Sequence, residues 1–132
     1  MRADWVYRRG DLYLANLNPF KGSEQGGKRP VLVLQNNTGN LHSSTIIVAT
    51  ITSQGKKKGQ PTHYPLQPVG RLKMPSVVQL EQIRTIDKCR VLEYLGKVPE
   101  ENMREINQAI KVSLGMIRIP GKFKIELSQT EE

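Results

Sequence analysis

Cysteine is almost absent from this chain of 132 residues, and Cys89 stands alone. No internal disulfide can form, and no metal site can be built from paired cysteines. A reducing cytoplasm suits such a chain. Histidine is as scarce: His42 and His63 lie far from one another and from Cys89, without the spacing of metal ligands. Asp4, Asp11 and Asp87 are scattered and form no paired-carboxylate motif. Together these absences argue against a metal-dependent nuclease, and the sequence calls for no metal and no cofactor. No apolar run approaches the about 20 residues of a membrane-crossing helix. Met1–Arg9 lacks the apolar core of a signal peptide. Gly22 to Gly27 carries the glycine spacing of a nucleotide-binding phosphate loop, but Lys28 is followed by Arg29 instead of Ser or Thr. An apolar strand-like run follows where that loop needs a helix. No nucleophile-elbow sequence supports acyl chemistry, and there is no internal repeat.

Positive charge is what the chain has in excess. Twenty Lys and Arg against 12 Asp and Glu leave a formal net charge of +8, which points to an anionic partner, nucleic acid first. The length fits one domain over 1–132, with a core at about 8–119 and a tail at 120–132 that is either an extra strand or disordered. Strands dominate the first three-quarters. Asp11–Leu17 alternates as a half-buried strand does and is closed by Asn18-Pro19. Val31–Gln35 reads as a buried strand followed by a turn at Asn36–Asn40. Thr45–Thr52 is the strongest β segment, rich in β-branched residues. Thr62–Gln67 reads as an edge strand because of Pro65, and Ser76–Leu80 and Arg90–Leu95 as two more. Only the end is helical. Pro99, Glu100 and Glu101 suit a first turn, Met103, Ile106, Ile110, Leu114 and Ile117 form one apolar stripe, and Pro120-Gly121 is the stop signal. The pattern is mainly β with α (α+β): a small, strongly curved antiparallel sheet or barrel with a C-terminal helix packed on it.

The most informative segment is Gly22-Ser23-Glu24-Gln25-Gly26-Gly27-Lys28-Arg29-Pro30, followed at once by Val31-Leu32-Val33-Leu34. Glycines let the main chain approach a ligand. Pro30 forces Arg29 into an extended conformation and suits the first position of a strand. Arg29 becomes a permanent cation at the mouth of a sheet, suited to a phosphate. The chemistry that needs only such a charge and hydrogen-bond donors is RNA cleavage by the 2′-OH, which leaves a 2′,3′-cyclic phosphate and a 5′-OH. A guanidinium fork clamps the charge that builds on the non-bridging oxygens. Thr52, at a strand end, is placed to donate a hydrogen bond to the same oxygens, although a threonine there is also an ordinary β former. Glu24 on the loop is one choice of base for the 2′-OH. Arg29 itself is the other, and a poor one with a pKa above ~12. The run Lys56-Lys57-Lys58 is either a solvated loop or a phosphate holder beside Thr52. Glu81 and Gln82 have side chains able to read exposed base edges, or simply occupy a sheet edge. His63 reads as a structural or rim histidine, and Trp5 and Tyr7 as core or dimer contacts ahead of stacking on a base.

Four segments carry a resemblance: Arg9–Tyr13, Gly22–Gln35, the strand ending Ile51-Thr52, and Leu80-Glu81-Gln82-Ile83-Arg84-Thr85-Ile86-Asp87. In order, from about residue 8 to 117, they resemble the MazF/PemK family of toxin endoribonucleases. The resemblance implies a homodimer of small SH3-like, CcdB/PemK-like barrels in the cytoplasm. It implies metal-independent, sequence-specific cleavage of single-stranded RNA and neutralisation by a MazE-like antitoxin, acidic and partly disordered when free. The family's catalytic arginine falls on Arg29 and its catalytic threonine on Thr52. Ser23, Glu24 and Gln25 match substrate-contacting positions, as do Glu81 and Gln82, and Lys28 and Lys56 join them as RNA-binding candidates. Two other functions suit the same sequence: a CcdB-like poison of DNA gyrase without catalysis, and a barrel that binds RNA without cutting it. The ending Leu127–Glu132 lacks the apolar and aromatic character the gyrase mode needs.

Overall fold

The computed structural model describes residues 1–19, 21, 22, 24, 26–53 and 60–119. Six strands pair antiparallel into one sheet: β1 (Asp11–Asn16), β2 (Lys28–Val33), β3 (Thr45–Ser53), β4 (His63–Leu66), β5 (Ser76–Asp87) and β6 (Val91–Lys97). Their order is β4-β5-β3-β2-β1-β6, so the proline-bearing β4 is indeed an edge strand. Two helices complete the chain, α1 (Asn37–His42) and α2 (Glu100–Ser113). Among the described residues no helix is long and apolar enough to cross a membrane.

The segment that follows edge strand β4 folds over to the other edge strand, β6. After β4 the chain turns so that the Arg71 amide donates to the Leu95 carbonyl of β6 at 2.7 Å. Gly70, at φ +57°, lies directly against Leu95 and Gly96. Apolar side chains then divide by strand alternation. One face carries Leu12, Leu32, Ala49, Ile51, Val78 and Leu80, covered by Met103, Ile106 and Ala109 of α2. The other carries Tyr13, Val31, Val33, Ile46, Val48 and Ile86, covered by Tyr7 and Trp5 from the N-terminal segment. Those two aromatics are therefore core contacts. Trp5 Nε1 donates to the Tyr13 hydroxyl at 2.7 Å, and that hydroxyl donates to buried Asp11 at 2.7 Å.

Several expected boundaries move, each for a local reason. The turn at Asn36–Asn40 is instead the start of α1, because the Asn36 side chain accepts from the Gly39 amide and caps it. β2 begins at Lys28, ahead of Pro30; its ladder to β3 starts only at Val31, so the missing proline N–H costs no bond there. The strand at Ser76–Leu80 runs on to Asp87, and the last strand is shifted to 91–97 behind a single 3-10 turn at 88–90. α2 stops at Ser113 because Gly115 takes φ +75°. The Met116 amide then bonds to the Lys111 carbonyl and the Gly115 amide to that of Val112, a Schellman closure. Leu114 and Ile117 consequently lie exposed beyond the helix, outside its buried stripe. Pro120-Gly121 and the 120–132 tail lie outside the described residues.

Burial raises the pKa of Tyr7, Tyr13, Tyr64 and Tyr94, with desolvation the largest cause in each case. A phenol whose folded pKa exceeds its unfolded value stabilises the fold fully below the unfolded value, about 10, and loses that contribution as pH rises through the folded one. Stability is therefore expected to hold to about pH 10 and to fall above it. Urea midpoints measured from pH 8 to 12 check this; midpoints that rise across that window would contradict it.

Candidate functional site

Strand register assembles a polar row at one end of the second face. Val31 of β2 lies opposite Thr50 of β3, Leu32 opposite Ala49 and Val33 opposite Val48. Continuing that register by two residues sets Arg29 opposite Thr52. Alternation puts both on the Val31 and Val48 face, past the end of the apolar cluster. On the other side of β3, Thr50 faces Gln79, Thr52 faces Val77, and His63 of β4 faces Gln79. Thr50 and Gln79 are fully buried, and the Thr50 hydroxyl donates to Gln79 Oε1 at 3.0 Å. A buried polar pair satisfied in this way stiffens the sheet behind the row.

Arg29 is half-buried, and its Nε donates to the Gly26 carbonyl at 2.9 Å. That bond uses the inner edge of the guanidinium, and among the described residues no carboxylate pairs with it. The loop before it is fastened at its base. The Leu17 amide donates to the Gly27 carbonyl and the Gly27 amide to Asn18 Oδ1, each at 2.9 Å. Arg90 Nη1 donates to the carbonyls of Asn16 and Asn18. Gly27 adopts φ +78°. Fixing both sides of the loop in this way fixes where Arg29 starts. Thr52 is half-buried and, with Pro30, Ile51, Arg71, Lys73 and Leu95, borders a cavity of about 380 Å³. Arg29 does not line that cavity. Arg71 is paired with Glu93, and Lys73 is exposed.

The remaining expected residues separate. Glu24 is exposed, and its Oε1 accepts from the Lys21 amide at 2.8 Å, so in this structure it braces its own loop turn. Lys28 is exposed at the start of β2 opposite Asn16. Ser23, Gln25 and Lys56, with the rest of the lysine run, lie outside the described residues. Glu81 and Gln82 sit where β5 leaves the register of β3. Thr50 pairs with Gln79 and its neighbour Ala49 with Ile83, so Leu80, Glu81 and Gln82 form a bulge with no counterpart on β3. Bulges re-aim side chains beside functional sites. Among the described residues no group of three His, Cys, Asp or Glu converges as a metal site would require.

Two further residues meet at this end: Thr62, unassigned from sequence, and His63, read there as a structural or rim histidine. Thr62 and His63 both reach Glu81 across the edge of the sheet. Eighteen positions separate His63 from Glu81, and only the β4–β5 register brings them together, so no local pattern signals the pair. What the row offers chemically is a held guanidinium, a hydroxyl opposite it, and a carboxylate with an amide on a bulge two residues along the sheet.

Known proteins match this chain in sequence and in fold. Residues 8–114 match the family model described as PemK-like, MazF-like toxin of type II toxin–antitoxin system. The Endoribonuclease MazF of Staphylococcus saprophyticus is 51% identical over 112 residues, 84% of this chain and 93% of the relative. Among solved structures, MazF from Deinococcus radiodurans superimposes with a TM-score of 0.73 at 32% identity, covering 86% of this chain and all 100% of that one. An endoribonuclease in complex with its cognate antitoxin from a mycobacterial species superimposes with a TM-score of 0.71 at 27% identity, covering 85% and 98%.

Proposed function

The chain belongs to the PemK-like, MazF-like family of type II toxins, and on that premise we propose that it is a metal-independent, sequence-specific endoribonuclease of single-stranded RNA, acting through Arg29 and Thr52. The observation that supports the reading is the β2–β3 register: continued two residues beyond the Val31–Thr50 pair, it brings Arg29 and Thr52 to the same level of the sheet. The 2′-oxygen attacks the adjacent phosphorus in line, the bond to the 5′-oxygen breaks, and a 2′,3′-cyclic phosphate and a 5′-OH remain. Negative charge grows on the non-bridging oxygens during the attack. The outer nitrogens of Arg29 and the Thr52 hydroxyl donate to those oxygens, and such preorganised donors gain strength where water is excluded. The 2′-OH proton passes to a base. Glu24, on the loop before Arg29, is the proposed base, with Arg29 itself as the alternative. The departing 5′-oxygen takes a proton from solvent.

Around this chemistry, the protein works as a single domain over 1–132, as a homodimer in the cytoplasm, until an acidic antitoxin neutralises it. The net charge of +8 per chain favours both the RNA and that acidic partner. Ser23, Gln25, Lys28 and Lys56 serve the substrate path.

Incubation of the purified protein with a long single-stranded RNA in EDTA tests the proposal. Discrete fragments ending in cyclic phosphate are expected; RNA retained without cuts would make the protein a binding barrel instead. Thr52→Ala removes one donor and is expected to lower the rate on the order of 10²-fold. A wild-type rate in that variant, measured under single-turnover conditions, would take Thr52 out of the site.

A further inference from the structure

We propose that Thr62 and His63 are positioning residues that fix the Glu81 carboxylate as a reader of one base in the RNA, and so help set which sequence is cut; this deepens the proposed endoribonuclease function and rests on it. Both oxygens of Glu81 are held. The Thr62 hydroxyl donates to Oε1 at 3.0 Å, and His63 Nε2 lies 2.8 Å from Oε2. A carboxylate has only lone pairs to offer, so Nε2 carries the hydrogen in this contact. The His63 side chain is 4% exposed while that of Glu81 is 31% exposed, so the donor is sealed beneath a carboxylate that faces outward.

The backbone beneath is fastened as well. The Leu80 amide donates to the Thr62 carbonyl at 2.8 Å, and the Ser113 hydroxyl at the end of α2 donates to the Leu80 carbonyl at 2.6 Å. Tyr64, next on β4, donates to Glu105 of α2 at 2.5 Å. The bulge is therefore held from β4 on one side and from α2 on the other. A side chain needed only for solubility has no use for this support. A recognition group does, because it must keep its lone pairs aimed while the ligand is absent.

The chemistry names the ligand. Each Glu81 oxygen keeps one outward lone pair once Thr62 and His63 have used the inner ones, and the two together accept N–H donors. Guanine offers two such donors side by side on its Watson–Crick edge, and adenine and cytosine offer an amino group. Single-stranded RNA leaves these edges open. His63 stands in the row of Gln79 and Thr50, and Thr52 follows in the next row on the same face. The base that Glu81 reads thus lies close to the proposed cut.

The test maps cleavage ends on a pool of transcripts in EDTA for the wild type, His63→Ala, His63→Gln and Thr62→Val, with folding checked by thermal melting. Wild-type discrimination between the preferred site and sites differing at one base is expected to fall roughly tenfold or more in His63→Ala. His63→Gln, which keeps a donor, is expected to recover part of it. Thr62→Val, which retains the shape of the side chain, gives the same reading should His63→Ala fail to fold. Unchanged discrimination in folded variants, or an equal loss at every site, would overturn the proposal. A wild-type protein that cuts no RNA would instead overturn the endoribonuclease reading, and this inference with it.

Discussion

Arg29→Ala is expected to abolish RNA cleavage while leaving the protein folded and still able to hold RNA. The side chain is half-buried and lies beyond the apolar cluster of its face, so its removal opens no hole in the core. Its one described hydrogen bond, to the Gly26 carbonyl, is not what closes the loop. That work falls to the bonds between Leu17, Asn18 and Gly27 and to Arg90. The loss in the transition state is of another size. A preorganised donor aimed at developing charge is worth about 3–4 kcal/mol, or roughly 10²–10³ in rate, and Arg29 supplies a full positive charge in addition to its hydrogen bonds. Arg29→Lys should recover only a small part, because an ammonium keeps the charge but lacks the planar fork. Single-turnover cleavage and filter binding on the same RNA separate the two effects. A variant that cuts at the wild-type rate would end the assignment of Arg29, and one that no longer binds RNA would move it from chemistry to docking.

The second large effect falls on the scaffold. Gly70→Ala is expected to destabilise the protein by about 2–4 kcal/mol: the residue is exposed, but an added Cβ overlaps main chain and sits at a strained φ. A Cβ at this position would stand 2.4 Å from the Leu95 carbonyl oxygen and 3.1 Å from the Gly96 Cα, at a φ of +57°. Both neighbours are main chain, so no side chain can swing aside. The contact is also where the segment after β4 meets β6, next to the bond from the Arg71 amide to Leu95. Gly27→Ala is the control. Its φ is +78° but nothing lies within 4 Å of the added carbon, so it carries only the backbone penalty of about 1 kcal/mol. Urea unfolding of the two variants checks the difference. Equal losses would mean that the overlap with β6 contributes nothing.

Much of this protein is written locally, and the site is only half so. The β-branched run at Thr45–Thr52 declares a strand, and Pro65 declares an edge; both turn out so because each depends on a few neighbouring residues. Arg29 stands out through the glycines before it and the proline after it. The end of α2 shows what a longer-range reading loses. An apolar stripe through Leu114 and Ile117 suggests further turns, yet one left-handed glycine at 115 closes the helix first. The bulge at Leu80–Gln82 is less legible still. The residues there alternate as a plain strand would, and only the pairing of Thr50 with Gln79 and Ala49 with Ile83 exposes the insertion. His63 has the same difficulty, since its meaning comes from Glu81 on another strand.

That insertion on β5 has a further consequence. Pairing with β3 resumes at Ile83 and runs unbroken to Asp87 opposite Thr45, so whatever occupies 80–82 is absorbed within a few residues. The strand that bears Arg29 does not touch this segment: β2 is bonded to β1 and β3 alone. If Glu81 reads a base, substitutions at the exposed Glu81 and half-buried Gln82 would rewrite the target vocabulary of such a toxin while its cutting apparatus stayed as it was, with buried Leu80 left to anchor the bulge, giving new dialects on an old blade.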